Sequence, residues 1–502
     1  MLASPPSMAG IDYAVLAAYL LGITIFGSRF RHSHRTVKDY FLGTRRVHWM
    51  VISLSIVATE TSTLTLIGVP ALAYAVYRRP EEGGSFTYLQ VVTGYIVARF
   101  IISWLFLPAF WEAGARGEMV TAYDLLQRRF GPRAKQFAAS LFLIMRALAE
   151  GVRVFAASLV LGAVLGASVP GLPHLWLWAI VIVGLLTLVY TFEGGMAAVI
   201  WTDLVQLIIY IGGSILAAYM LLHLVPGGWD AIVKDARTFG KLHVVSWSWD
   251  PSLPFTFWAG VIGGCFLTMA SHGTDQLLVQ RLLTCRNQRD SQRALIFSGF
   301  VVLAQFGLFL TIGLMLHAYY AVFPLPQMAT TDEIFPAFIV RSLPPGIAGL
   351  VIAAIFAAAM SNLSGSLNSL ASITLLDFYR GLAGRSLDER QMLTASRWLT
   401  VVWGLVLIAI AVLARGWGSV FTAGLTIASI VYGPMLGAFL LGVLTKATSE
   451  AGVMTGIGVS LVVMIGIRVL SPLAWTWYVL VGTLICVAVG YVTSSLAMRI
   501  DK

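Results

Sequence analysis

The chain alternates between long apolar segments and short polar connections. A segment of about 20 mostly apolar residues is long enough to cross a lipid bilayer as an α-helix. The sequence contains thirteen such segments, and we expect each of them to form one membrane-spanning helix. Their approximate ranges are 11–28, 47–77, 86–112, 136–167, 175–192, 197–225, 256–278, 294–323, 345–376, 394–414, 418–444, 452–470 and 476–497. This pattern predicts an all-α integral membrane protein with about 13 transmembrane helices.

Composition and charge support this class and give the chain an orientation. Hydrophobic residues make up 58% of the chain and charged residues 11%, whereas a soluble domain carries about 25% charged residues. We assign the net charge of +10 to cytoplasmic loops, where Lys and Arg accumulate, and expect no nucleic-acid partner. With the N-terminus outside, 22 of the 33 Lys and Arg residues fall in cytoplasmic segments and 8 on the outer side. The chain is therefore predicted to be a multi-pass protein of the cell (cytoplasmic or inner) membrane, with its C-terminus in the cytoplasm.

Polar residues interrupt the second predicted span, which reads SIVATETSTLTLIGVPALAYA. Hydroxyl groups that bond back to their own helix account for several of the threonines and serines, but they do not account for Glu60. A broken helix that lines a cavity accounts for all of these residues, because its freed carbonyl groups can bind a cation or a solute. Ionisable groups inside a membrane are costly, so Glu60 is a candidate functional residue.

The seventh predicted span contains a second interruption and ends TMASHGTDQLLVQR. The two interruptions lie five spans apart, and breaks in corresponding helices of two halves indicate a binding site between inverted repeats. Asp275 belongs to this interruption. The alternative location for Asp275 is the cytoplasmic interface at the end of the span.

The ninth predicted span reads IFAAAMSNLSGSLNSLASI. Ala358, Ser361, Asn362 and Gly365 are spaced by three and four residues and so share one helical face. Small residues on a helix face indicate close helix packing. Hydroxyl and amide oxygens are also the ligands that a hard cation such as sodium prefers. Both interpretations can hold for the same face.

Further charged residues lie inside other spans. The sixth span carries Asp203, with Gln206 one turn further on. The fourth span carries Arg146, Glu150 and Arg153, whose spacing places them on one helical face. Side chains at this spacing can pair with one another, and we interpret the three as structural.

Seven sequence segments together resemble the sodium:solute symporter family, whose carriers move sugars, sialic acid, proline, iodide, vitamins or carboxylates. They are DYFLGTRR, ATETS, VTAYDLLQRRFG, FEGGMAAVIWTDLVQ, HGTDQLLVQRLL, AAAMSNLSGSLNS and YGPMLGAFLLGVLTK, within residues 11–445. The resemblance implies a LeuT-type core of two inverted five-helix repeats, over residues 47–225 and 256–446. Residues 1–46 would then hold the first helix and a basic cytoplasmic loop, 226–255 an extracellular loop and 447–502 two C-terminal helices.

The resemblance also implies where ions and solute bind. One sodium ion would be held by the backbone carbonyls of Ala58, Thr61 and Ala358 and by the hydroxyl of Ser361, with Asn362 in place of a second hydroxyl. A second sodium ion would lie near Asp203, Ser361 and Ser364, where Gly365 replaces the last serine of the family. The candidate solute contacts are Glu60, Thr63, Thr65, Tyr88, Gln90, Thr268, Ser271 and His272.

These features together predict a sodium-coupled symporter that imports a small organic solute by alternating access. Sodium is the coupling ion, and no organic cofactor or other metal is expected. A proton-coupled carrier that uses Glu60 or Asp203, and a membrane sensor built on the same fold, are the alternatives. An enzyme is not expected, since the spans show no Ser–His–acid or metal-ligand pattern.

Overall fold

The computed structural model describes residues 9–32, 37–42, 47–115, 121–168, 174–323, 331–379, 388–414 and 420–500. Helices account for most of these residues, and the described part of the chain contains no β-strand. The predicted all-α class is therefore confirmed.

The described residues form eighteen α-helices, numbered in chain order. The first nine are α1 (Gly10–Ser28), α2 (Val37–Leu42), α3 (Trp49–Glu60), α4 (Thr63–Tyr74), α5 (Leu89–Ala115), α6 (Asp124–Arg129), α7 (Pro132–Ser168), α8 (Leu175–Leu224) and α9 (Gly228–Thr238). The second nine are α10 (Gly264–Gly273), α11 (Gln276–Leu283), α12 (Gln288–Val322), α13 (Ile334–Ser342), α14 (Ile347–Ile373), α15 (Glu389–Ala414), α16 (Val420–Leu444), α17 (Glu450–Leu470) and α18 (Tyr478–Ile500). A π-helix, Ala259–Gly263, leads directly into α10.

Each apolar segment found in the sequence coincides with a helix or a broken helix. Nine helices of the described residues are long and apolar enough to cross a membrane, and the pair α3–α4 makes a tenth. The remaining segments correspond to the charged helix α7, the first part of α8 and the π-helix with α10. Helix α8 contains two predicted spans, which meet at Gly195, where the backbone is not helical (φ 53°, ψ −153°).

Both predicted interruptions are breaks in the backbone. Helices α3 and α4 meet at an angle of 63°, and the extended residues Thr61 and Ser62 separate them. Helices α10 and α11 are separated by Thr274 and Asp275, and the Asp275 carboxylate accepts a hydrogen bond of 2.9 Å from the Leu277 N–H. Such a bond caps the N-terminus of α11. Backbone groups that a continuous helix would use are thus freed at two places in the bundle.

The connection after α9 holds the end of α4 in place. The Lys241 ammonium donates to the carbonyls of Ala73, Tyr74 and Ala75 at 2.8–2.9 Å. These carbonyls lie at the C-terminus of α4, where a cation is favourable. Burial lowers the pKa of Lys241 to about 8, so the cap carries its charge at neutral pH.

Helix α14 lies at the centre of the bundle. Of its 27 residues, 24 are buried, and it packs against α1, α3, α7 and α8. Its N-terminus is capped by Asp12 of α1, whose Oδ1 accepts from the N–H groups of Gly346 and Gly349 at 2.7 and 2.8 Å. The small-residue face of α14 is therefore a packing surface, as predicted. The same face carries the polar groups of the candidate site.

Candidate functional site

A polar cavity lies beside the break between α3 and α4. It has an empty volume of about 950 Å³, part of which is open to solvent. Residues of α4, α7, α10, α12 and α16 also line it. Tyr88 and Phe306 form an aromatic wall, with their rings stacked at 5.2 Å between centroids. Six of the eight predicted solute contacts lie in the lining, namely Glu60, Thr65, Tyr88, Thr268, Ser271 and His272.

The other two predicted solute contacts lie outside the lining. Thr63 is buried, and its hydroxyl has no hydrogen-bond partner among the described residues. Gln90 contacts the connection that follows α9: its Nε2 donates to the Phe255 carbonyl at 2.8 Å, and its Oε1 accepts from the Ser246 N–H at 3.0 Å. Gln90 therefore links the start of α5 to the connection between α9 and the π-helix.

Glu60 is the acidic group of the cavity, and it is paired. Its Oε2 forms an ion pair with the Nη2 of Arg99, a fully buried residue of α5. The same oxygen lies 3.4 Å from the Nε2 of His272. His272 contacts Ser271 through its Nδ1 at 2.8 Å. Both contacts to Glu60 use Oε2, so Oε1 is available to a solute.

The two arginines of α7 also line the cavity, although the sequence suggested a structural role. Arg153 Nη1 donates to Glu150 Oε2 at 3.1 Å and to Asn362 Oδ1 at 3.4 Å. The predicted pairing within α7 therefore holds for Glu150 and Arg153. Arg146 instead pairs across the bundle with Asp275. Asp275 thus lies inside the bundle, and its side chain is 0% exposed.

The predicted residues of the first sodium site meet where α3 breaks against α14. Ala58 and Ala358 are fully buried, and Asn362 Nδ2 donates to the Thr59 carbonyl at 2.7 Å. The Thr61 hydroxyl donates to the Val57 carbonyl at 2.9 Å. The Asn362 amide therefore spans from the break to Arg153, with both of its ends bonded to protein groups. Oxygen atoms of this kind, backbone carbonyls and a hydroxyl, are the ligands that a sodium ion prefers.

Asp203 lies directly behind this site. Its Oδ1 accepts from the Ser361 hydroxyl at 2.6 Å, and its Oδ2 accepts from Ser55 at 2.5 Å. Oδ2 also lies 2.9 Å from the Nη2 of Arg281. The Ser364 hydroxyl bonds to the Ser361 carbonyl instead, at 3.0 Å. Asp203, Ser361 and Ser364, predicted around a second sodium ion, are therefore neighbours. Their polar groups are hydrogen-bonded to one another, and Asp203 is also paired with Arg281.

A broken helix beside a buried polar cavity, packed against a central helix of small residues, is the arrangement of the LeuT-type fold. Two solved transporters have a similar fold. MHP1, of the nucleobase-cation-symport-1 family, has a TM-score of 0.57, with 14% identity over 91% of this chain and 93% of that one. MhsT has a TM-score of 0.54, with 16% identity over 90% of this chain and 99% of that one.

Residues 40–459 match the sodium:solute symporter family. The chain therefore belongs to this family of transporters. It is a sodium-coupled secondary symporter that imports a small organic solute by alternating access, with sodium as the coupling ion, and the corresponding prediction from the sequence is confirmed.

Three named proteins show the similarity in detail. The sodium/sialic acid symporter SiaT of Proteus mirabilis is 30% identical over 97% of this chain and 95% of its own length. The sodium/iodide cotransporter of Homo sapiens is 27% identical over 98% of this chain and 75% of its own length. A solved structure of a Na+-coupled sialic acid symporter, in a substrate-bound outward-open state, has a TM-score of 0.86 with 29% identity over 97% of this chain and 98% of that one.

Proposed function

We propose that the solute of this symporter is a small organic anion that carries a carboxylate and at least one hydroxyl group. The observation that supports this class is the guanidinium of Arg153 in the cavity lining. Its Nη1 atom bonds to Glu150 and Asn362, its Nε atom is buried without a hydrogen-bond partner among the described residues, and its side chain is 22% exposed. A guanidinium that is partly exposed to the cavity is suited to bind a carboxylate.

The acidic side of the cavity adds the requirement for a hydroxyl group. Glu60 Oε1 takes no hydrogen bond from the described residues, and the Glu60 side chain is 15% exposed. A carboxylate oxygen accepts only, so the solute has to present a donor to it. Sialic acid, which the name of SiaT gives as that protein's substrate, combines a carboxylate with several hydroxyl groups. Monocarboxylates and iodide, named for other relatives, match this side of the cavity less well.

We place the coupling sodium ion between the break of α3 and the face of α14. Its ligands are the carbonyls of Ala58, Thr61 and Ala358 and the hydroxyl of Ser361, with Asn362 as a neighbour that bridges to Arg153. A sodium ion there ties α3 to α14 and stabilises the outward-open state. Solute binding then closes the outer side, and loss of sodium to the cytoplasm releases the solute. A negative-inside potential contributes about 2.3 kcal/mol per charge per 100 mV.

The ion pairs in the structure favour sodium over a proton as the coupling ion. Glu60 is paired with Arg99 and Asp203 with Arg281. Protonation of either carboxylate would leave its guanidinium partner unpaired inside the protein, which is costly. A carrier that used Glu60 or Asp203 as its proton site would therefore need to separate these pairs in each transport cycle.

We assign the repeats to residues 47–225 and 256–446, as the sequence predicts. Residues 1–46, 226–255 and 447–502 then lie outside the core, although parts of the first and last of these segments fall outside the described residues. The proposed orientation is N-terminus outside and C-terminus inside, in the cytoplasmic membrane. The solute is carried without chemical change.

Uptake into liposomes that contain the purified protein tests the proposed solute. An inward sodium gradient should drive uptake of radiolabelled N-acetylneuraminic acid, and glucose, propionate and choline should compete weakly. Arg153→Gln should reduce the affinity for N-acetylneuraminic acid at least about tenfold, because a charge-assisted hydrogen bond contributes roughly 1.5–3 kcal/mol. Arg390→Gln, an exposed arginine at the start of α15, is the matched control. Equal competition by glucose, or an unchanged affinity of Arg153→Gln, would contradict the proposal.

A further inference from the structure

The carboxylate of Asp203 has protein donors at both of its oxygens. Ser361 donates to Oδ1 at 2.6 Å. Ser55 and Thr59 donate to Oδ2 at 2.5 and 3.2 Å. Arg281 Nη2 donates to the same oxygen at 2.9 Å, and the side chains of Asp203 and Arg281 are both 0% exposed. The carboxylate therefore already has a cation beside it, supplied by the protein.

Arg281 is held in place by more than this ion pair. Its Nη1 donates to the Leu277 carbonyl of its own helix, α11, at 2.8 Å. Its Nε donates to the Ser55 hydroxyl of α3 at 3.0 Å. Each of its three guanidinium nitrogens thus has an acceptor, and the planar group is fixed between α3, α8 and α11. Arg281 is therefore part of the site in this structure, with its guanidinium held on three sides.

Gly365 provides the space that the guanidinium fills. A methyl group on Gly365 would lie 2.7 Å from Arg281 Nη2 and 3.2 Å from Nη1. Any side chain at position 365, including a serine whose hydroxyl faced Asp203, would therefore displace Arg281. Gly365 of α14 leaves the space that the guanidinium of Arg281, on α11, occupies. Position 365 therefore provides no side-chain oxygen ligand, and a fixed positive charge lies beside it.

We propose that Arg281 takes the place of a second coupling ion, so that each chain binds one sodium ion. Sodium requires several oxygen ligands, and Gly365 offers no side-chain oxygen. A sodium ion next to Asp203 would also lie close to the guanidinium, and like charges repel strongly in a buried site. This inference rests on the proposed sodium site at the break of α3.

Asp203 then acts on the one bound sodium ion through Ser361. The Ser361 hydroxyl donates a hydrogen bond to Asp203 Oδ1. The lone pairs of the Ser361 oxygen are therefore available to a cation on the other side. Asp203 is in this sense a positioning residue, which orients a ligand and does not itself bind the ion. Outer-shell partners of this kind contribute about 10–100-fold to metal affinity.

Equilibrium binding of radiolabelled sodium to the purified protein, without solute, tests the proposal. The wild type should bind one ion per chain with a Hill coefficient of about 1, since one site gives no cooperativity. Two ions per chain would overturn the inference and leave the proposed function intact. The absence of saturable sodium binding would overturn the proposed function, and the inference with it.

A double variant separates positioning from direct ligation. Asp203→Asn with Arg281→Gln removes both charges together, and the asparagine Oδ1 can still accept from Ser361. This variant should still bind one sodium ion, with a loss of affinity of no more than about 100-fold. Ser369→Ala, a buried serine on α14 that bonds to its own helix, controls for a general loss of packing. A folded double variant that binds no sodium would show that Asp203 is a ligand and would overturn the inference.

Discussion

Three buried arginines each pair with a carboxylate on a distant segment: Arg99 with Glu60, Arg146 with Asp275 and Arg281 with Asp203. Charges inside a membrane protein are tolerated when they are paired and face the interior of the bundle. In all three pairs, one member lies on a broken helix or at its break. The pairs therefore neutralise the polar centre of the protein and fix the segments around the cavity.

Glu60→Gln tests the role of Glu60 in solute binding. The variant keeps the size of the side chain but weakens the acceptor, so the affinity for N-acetylneuraminic acid should fall by up to about tenfold, because a charge-assisted hydrogen bond becomes a neutral one. The unpaired Arg99 should also lower the melting temperature, because a buried charge has lost its partner. The measurement is the concentration dependence of uptake into liposomes.

Sodium dependence distinguishes the two roles of Glu60. If Glu60 only contacts the solute, uptake by Glu60→Gln still requires sodium and still follows the sodium gradient. If Glu60 carries a coupling proton, wild-type uptake follows a pH gradient in the absence of sodium and the variant loses that response. The second result would contradict a solute-binding role for the paired Glu60 carboxylate.

Helices α3, α4, α10 and α11 show what the sequence can and cannot predict about the elements. Their breaks were predictable because polar residues inside an apolar segment are a local signal, visible without knowledge of the fold. The partners of the buried charges were not predictable, since Glu60 and Arg99 are 39 residues apart and Arg146 and Asp275 are 129 apart. The Glu150–Arg153 pair was predictable, because its members lie three residues apart in one helix and the contact is local.

The course of helix α8 depends on Gly195, the residue at which its backbone is not helical. Its φ of 53° favours glycine, and a methyl group there would lie 2.7 Å from the Tyr40 carbonyl. Gly195→Ala should therefore lower the free energy of unfolding by about 1–3 kcal/mol, the cost of a backbone conformation that is populated essentially by glycine. The fall is measured as a lower melting temperature in detergent.

Gly212→Ala provides the matched control in the same helix. No atom lies within 4 Å of a methyl group at this position, and alanine is favoured over glycine in a helix by about 1 kcal/mol. The control should melt at the wild-type temperature or above it. A Gly195→Ala variant as stable as the control would show that α8 can pass this point without a glycine.

At the scale of the whole molecule, the distribution of Lys and Arg residues gives a testable orientation. The three cysteines are buried, so a single introduced cysteine can be labelled with little background. With the N-terminus outside, His243→Cys, in the exposed connection after α9, should react with a membrane-impermeant maleimide in intact cells. Ala447→Cys, between α16 and α17, should react only after permeabilisation. The reverse pattern would contradict the proposed orientation.

The central claim, that a sodium ion binds where α3 breaks against α14, is tested most directly by thermal stability. The melting temperature of the purified protein is measured in sodium, potassium and choline chloride at equal ionic strength, for the wild type and Ser361→Ala. A ligand that binds only the native state stabilises it by about 2.7 kcal/mol at 100 times its Kd. We predict a saturable rise in melting temperature that is specific to sodium and lost in the variant. Equal melting temperatures in all three salts would contradict the sodium site.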